Sequence, residues 1–186
     1  MALVAELEKI RAEVDAVNAE AQKLVAGLSE EQIAQRPQPG RWSLAEIFVH
    51  LNLTAQIYLP EIDRAIEEGR AKGLTGEGPF KLDFMGKMFV KYLEPPYRMK
   101  TKAPGMIKPL LQGPASEALP QFLRSQELVV KRLEAANGLD LGRVKFVSPL
   151  ASVLKMNLLA PFAVLTSHQR RHLWQGWQIR KEICNL

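Results

Sequence analysis

The chain has one cysteine, three histidines and few aromatic residues, 7% of the total. A single cysteine excludes a disulfide framework and a cysteine-rich zinc site, each of which needs several thiols. No run approaches the ~18 uninterrupted apolar residues of a membrane-spanning helix. The first residues lack the basic start and apolar run of an export signal and carry Glu6, Glu8, Glu13 and Asp15 instead. The expected compartment is therefore the cytoplasm, with no membrane partner. Internal repeats and low-complexity tracts are absent too.

What is present is ordinary for a globular chain: 186 residues, 47% hydrophobic and 24% charged. That predicts one domain over residues 1–186, large enough to bury about 70% of its unfolded surface. The net charge of +5 raises the question of a nucleic-acid partner. No basic helix face or reading motif accompanies it, so none is expected. The excess is local. Residues 81–108 hold seven basic residues (Lys81, Lys87, Lys91, Arg98, Lys100, Lys102, Lys108) against Asp83 and Glu94, and the rest of the chain balances at 18 and 18. Such a stretch attracts an anionic small molecule if it folds near a site.

Apolar residues at spacings of three and four (Leu3, Leu7, Ile10, Val14, Val17, Ala21, Leu24, Leu28) predict an amphipathic helix over 2–28. Residues 29–40, with Pro37, Pro39 and Gly40, read as a loop. Ser43-Leu44-Ala45-Glu46 opens a second helix as a capping box. That helix extends to about Gly69, with Pro60 expected to kink or divide it. Residues 70–115 form a long crossover with a short helix near 82–93; its Met and aromatic content needs something to pack on. Ser116 can cap a third helix over 117–136, Pro120 standing in its first turns and Asn137-Gly138 ending it. Residues 139–157 read as a mixed connection; the alternation of 144–148 is a single short run and predicts no sheet. The last helix is expected over 161–183. The fold class is all-α: a four-helix bundle with a long crossover between the second and third helices.

His168 and His172 are four apart on the last helix, about 40° apart around its axis, among Val164, Leu165 and Ile179. They point into the bundle. His50 lies at the shoulder of the second helix beside Thr54 and Ile57, expected to be partly wet. Two inward histidines must find polar partners. Core hydrogen bonds or a shared metal would each satisfy them, and spacing alone leaves both open. His168-Gln169-Arg170-Arg171-His172 is not a zincin motif, because Gln169 stands where that motif's glutamate base would be.

Two blocks, GRWSLAEIFVHL (Gly40–Leu51) and SHQRRHLWQ (Ser167–Gln175), resemble the DinB-like superfamily, which includes the YfiT-type proteins. The matched positions are Trp42, Ser43, Glu46, His50 and Leu51, then His168, His172 and Gln175. The resemblance implies a four-helix bundle with a divalent metal, zinc or nickel, held by His50, His168 and His172, and commonly a homodimer. It implies a metal-dependent enzyme that uses a low-molecular-weight thiol or water for transfer to, or hydrolysis of, a small-molecule substrate. Bacillithiol transfer and mycothiol-dependent maleylpyruvate isomerisation are known in the family. A non-catalytic bundle with a structural metal or a stress-related binding role is the alternative.

Glu46 and Gln175 are candidates for support or proton transfer around the metal, although the capping box accounts for Glu46 and core hydrogen bonding for Gln175. Trp42 is expected to pack ahead of the cap, and Trp174 and Trp177 to meet another helix or a second subunit. Arg170 and Arg171 read as a solvated face. Cys184, near the end of the chain and without a neighbouring base, is a poor nucleophile.

Overall fold

The computed structural model describes residues 2–96 and 102–185. Among these the chain is mostly helical, with six α-helices and one two-stranded sheet. Four helices are long: α1 (Ala5–Val25), α3 (Leu44–Ala71), α5 (Ala118–Ala136) and α6 (Leu159–Ile183). The short α2 (Glu30–Ala34) and α4 (Phe84–Leu93) lie in the connections. Each long helix packs on two others: α1 on α6 and α5, and α3 on α5 and α6.

The apolar periodicity of α1 is its buried face, Leu7, Ile10, Val14, Val17, Ala21 and Leu24. Gly176 lets α6 lie close against it: a Cβ there would stand 2.6 Å from Leu24 Cδ2. Gly86 does the same for α4, where a Cβ would meet that of Ala160 on α6 at 2.8 Å. Asp83 fixes that helix at its start. One oxygen accepts from the Gly86 N–H at 2.8 Å and the other from the Asn157 N–H at 2.7 Å.

The core has two apolar halves. One gathers Leu7, Ile62, Leu133, Phe146 and Phe162; the other Leu24, Leu44, Phe48, Phe122 and Ile179. A layer of buried polar residues lies between them along α3 and α6, including His50, Asn52, Thr166, Gln169 and His172. Its amide members are satisfied internally, as buried polar groups must be. The Gln126 and Gln169 amides exchange hydrogen bonds of 3.2 and 2.7 Å, and Asn52 Nδ2 donates to the Ala118 carbonyl at 3.4 Å.

Several expectations need correction. Residues 29–40 are not all loop: Ser29 and Gln32 form a capping box that starts α2. Pro60 does not divide α3, which is continuous through it. Ser116 does not cap α5; its hydroxyl donates to Glu30 at 3.3 Å, and no side chain caps that helix. The alternating run does form a strand. β1 (Lys145–Val147) pairs antiparallel with β2 (Lys155–Asn157), opposing buried Phe146 to buried Met156. One short run is stable here because Phe146 also stacks on Tyr58 of α3, with ring centroids 5.7 Å apart. Arg98 and Lys100 of the basic stretch lie outside the described residues.

Candidate metal centre

The start of α3 is set by its capping box. The Ser43 hydroxyl accepts from the Glu46 N–H at 3.2 Å, and the Glu46 carboxylate accepts from the Ser43 N–H at 2.9 Å. That start places His50 about two turns in, facing α6. His50 is buried, 2% exposed, rather than partly wet. The crossover covers it: Ile107 is itself buried, and His50 Nδ1 lies 2.6 Å from the Ile107 carbonyl oxygen. A carbonyl oxygen only accepts, so Nδ1 carries the proton and Nε2 presents a lone pair.

The same logic operates on α6. His172 Nδ1 lies 3.0 Å from Gln175 Oε1, so the amide oxygen fixes the tautomer that leaves Nε2 free. His168 Nε2 sits 3.2 Å from His50 Nε2 and 3.1 Å from His172 Nε2. One N–H on His168 can serve only one of these contacts. At the other, the lone pair of a neighbouring Nε2 faces that ring nitrogen with no hydrogen between them, whereas a shared cation accepts a lone pair from all three rings. Ligands at 2.0–2.1 Å around a tetrahedral ion stand about 3.3 Å apart, close to both distances. The three histidines can therefore hold a metal ion, and their ligand atoms all lie within 4.8 Å of one another.

Burial keeps the cluster neutral. His168 is pushed down to about 3, by burial first and then by the positive charges that His50 and Arg171 would set against its own. His172 lies well below the usual histidine range for the same reasons, with His168 as its main charged neighbour. His50 is lowered by burial, partly offset by its bond to Ile107. Neutral imidazole is the form that binds a metal. Trp42 covers the cluster, stacked on His172 with centroids 5.8 Å apart and tilted on His50 at 4.9 Å.

The cluster forms part of the lining of a cavity of about 860 Å³. Gln175 and Trp42 line it as well; Glu46 does not. Both Glu46 oxygens face Arg36, Oε2 at 2.8 Å from its Nε, in addition to serving the cap. Cys184 also lies outside the lining. The DinB superfamily model matches residues 13–175, which includes all three histidines.

The chain belongs to the DinB superfamily. No curated protein and no solved structure matches it. Both sequence blocks that resemble the superfamily meet at this one site, although more than a hundred residues separate them. No helix among the described residues is long and apolar enough to cross a membrane.

Arg170 and Arg171 of α6 do not form a solvated face. Arg170 is half-buried and bridges Glu13 of α1, at 2.9 Å, and Glu94 at the end of α4. Arg171 is 7% exposed and lines the cavity. Its guanidinium lies 5.6 Å over the Tyr92 ring and donates to the Tyr92 carbonyl at 3.3 Å. A signal was present: Arg171 follows His168 by three residues, about 60° away on the helix and thus on the histidine side. Trp177 meets α1, donating to Glu20 at 2.6 Å, whereas Trp174 lines the cavity.

Proposed function

We propose that this DinB superfamily protein is a metal-dependent enzyme in which His50, His168 and His172 hold one divalent ion, zinc or nickel. The reaction is transfer of a low-molecular-weight thiol to a small molecule, or hydrolysis of that molecule. The observation that carries this reading is the convergence of three imidazole Nε2 atoms beside a cavity large enough for a substrate.

Three protein ligands leave a coordination position open, as catalytic sites do and closed structural sites do not. When bound, a divalent ion supplies a Lewis acid that favours the deprotonated form of a water or thiol placed against it. The protein's residues do the rest. Ile107 and Gln175 hold two of the rings in the ligating tautomer. Trp42 shields the cluster from bulk water. The four long helices serve as a four-helix bundle, and the crossover between α3 and α5 closes the site over His50. A thiol reaction would draw its sulfur from a free small molecule, because the chain's one cysteine is outside the cavity.

Metal content of protein purified without a histidine tag tests the reading. The expected result is about one equivalent of divalent metal per chain, with a thermal shift on re-addition after chelation. Absence of stoichiometric metal, together with no response to zinc or nickel, sinks it.

A further inference from the structure

The charge of the cavity wall is one-sided. Among the described residues, four basic ones line it, Arg41, Lys102, Lys108 and Arg171, and no aspartate or glutamate does. They come from four separate places: the segment before α3, two points on the crossover, and α6. Lys102 and Lys108 are exposed, so their ammonium groups stay hydrated, while Arg171 is buried at the Tyr92 ring. Arg41 is bonded to Glu182 at 2.6 Å, but Glu182 is not part of the lining.

The remaining wall is largely apolar. Phe89 and Leu93 come from α4, Leu154 and Met156 from the hairpin, and Val164 and Leu165 from α6. A concave apolar surface with charges of one sign concentrates field lines and raises the local concentration of the opposite ion. The cavity's volume of about 860 Å³ lies toward the large end of small-molecule sites, ~300–1,000 Å³.

We propose that the ligand of this cavity is an amphiphilic organic acid, with an acyl or aryl body on the apolar wall and its anionic head toward Lys102, Lys108 and Arg171. The inference deepens the preceding reading and rests on the same histidine-lined cavity as the seat of function. The basic stretch of the crossover thus selects substrate by charge: two of its lysines are on the wall, and neither is a metal ligand. A neutral analogue of the same shape leaves the wall's positive charge unanswered, and a cationic one adds to it.

The test is calorimetric titration with 4-phenylbutyrate, 4-phenylbutyramide and 4-phenylbutylamine, which differ mainly in the charge of the head. Each is titrated into zinc-loaded protein, into chelator-treated protein and into the Lys102→Glu/Lys108→Glu variant in both forms. The expected result is at least about tenfold tighter binding of the acid than of the amide, with no measurable binding of the amine. The preference survives chelation and falls severalfold or disappears in the variant, whose fold is checked by circular dichroism.

If the acid is preferred only when zinc is present, and the variant keeps that preference, the carboxylate is binding the metal alone. That overturns the proposal and leaves the metal reading standing. Equal affinity for acid and amide, preference for the amine, or no binding of the acid in either wild-type form also overturns it. A preference that persists in a protein unable to bind zinc, and that the lysine reversals remove, upholds the charge selection while the metal reading fails.

Discussion

The two apolar halves of the core and the polar layer between them are held by different physics. In the halves, Phe48, Phe122, Phe146 and Phe162 are stabilised by burial, which is non-directional. In the layer, each group depends on a specific partner at a specific distance: His50 on the Ile107 carbonyl, His172 on Gln175, Gln126 on Gln169. The halves determine whether the chain folds, and the layer what it can bind. Perturbations should therefore separate, with apolar changes moving stability and polar changes moving metal affinity.

The largest effect is expected from His168→Ala. His168 Nε2 is the atom that both other ring nitrogens approach, so its loss should abolish stoichiometric metal binding while helical circular dichroism is retained. If metal stays bound, the triad is not the site. Phe122→Ala should do the converse. Truncating a fully buried aromatic costs about 3–5 kcal/mol, read as a lower denaturation midpoint, with metal stoichiometry unchanged in the folded protein.

Gly176→Ala probes the frame that aims α6. Its new Cβ would collide with Leu24, and overpacking of this kind costs about 1–3 kcal/mol. A smaller loss of stability would mean that the Leu24 side chain turns aside or that α1 and α6 separate slightly. Gln175→Ala removes the acceptor that orients His172 and should weaken zinc binding by about 10–100-fold with little change in melting temperature. A fall in melting temperature of the chelated protein matching that of Phe122→Ala would erase the distinction between the layer and the halves.

The smallest change near neutrality is expected from pH. All three histidines have folded-state values below their ordinary ones. Below about 6.5 the unfolded chain takes up protons that the folded cluster refuses, so metal-free stability declines as pH falls from there. The decline continues toward about 3, where His168 itself protonates. Denaturation midpoints of chelated protein at pH 7.5, 6 and 5 should fall in that order. The dependence should be much reduced with all three histidines replaced, leaving the smaller fall toward pH 5 that comes from Glu46, which Arg36 and Ser43 also hold below its ordinary value.

The sequence made much of the site legible. An i, i+4 histidine pair beside Val164 and Leu165 can only face inward, because the same periodicity that buries those residues carries the pair with them. The capping box at Ser43 was readable for a similar reason: its hydrogen bonds close within four residues. Arg171 was lost because it stands beside Arg170, and two adjacent arginines look like a wet face. Only the return of α4 over α6 lays Tyr92 on one and Glu94 beside the other. The burial of His50 depended on Ile107, 57 residues away. The strand over 145–147 needed a partner eight to twelve residues on and a phenyl surface from Tyr58 beneath it.

By itself, then, the sequence determined the four long helices, their buried faces, the three histidines and the local excess of positive charge, because each is written in spacings of a few residues. The tertiary structure alone decided that three Nε2 atoms converge, that Trp42 covers them, and that four basic residues from three segments share a wall with no acid among its described residues. Those outcomes require contacts between residues dozens of positions apart, set by how whole helices pack rather than by any local preference.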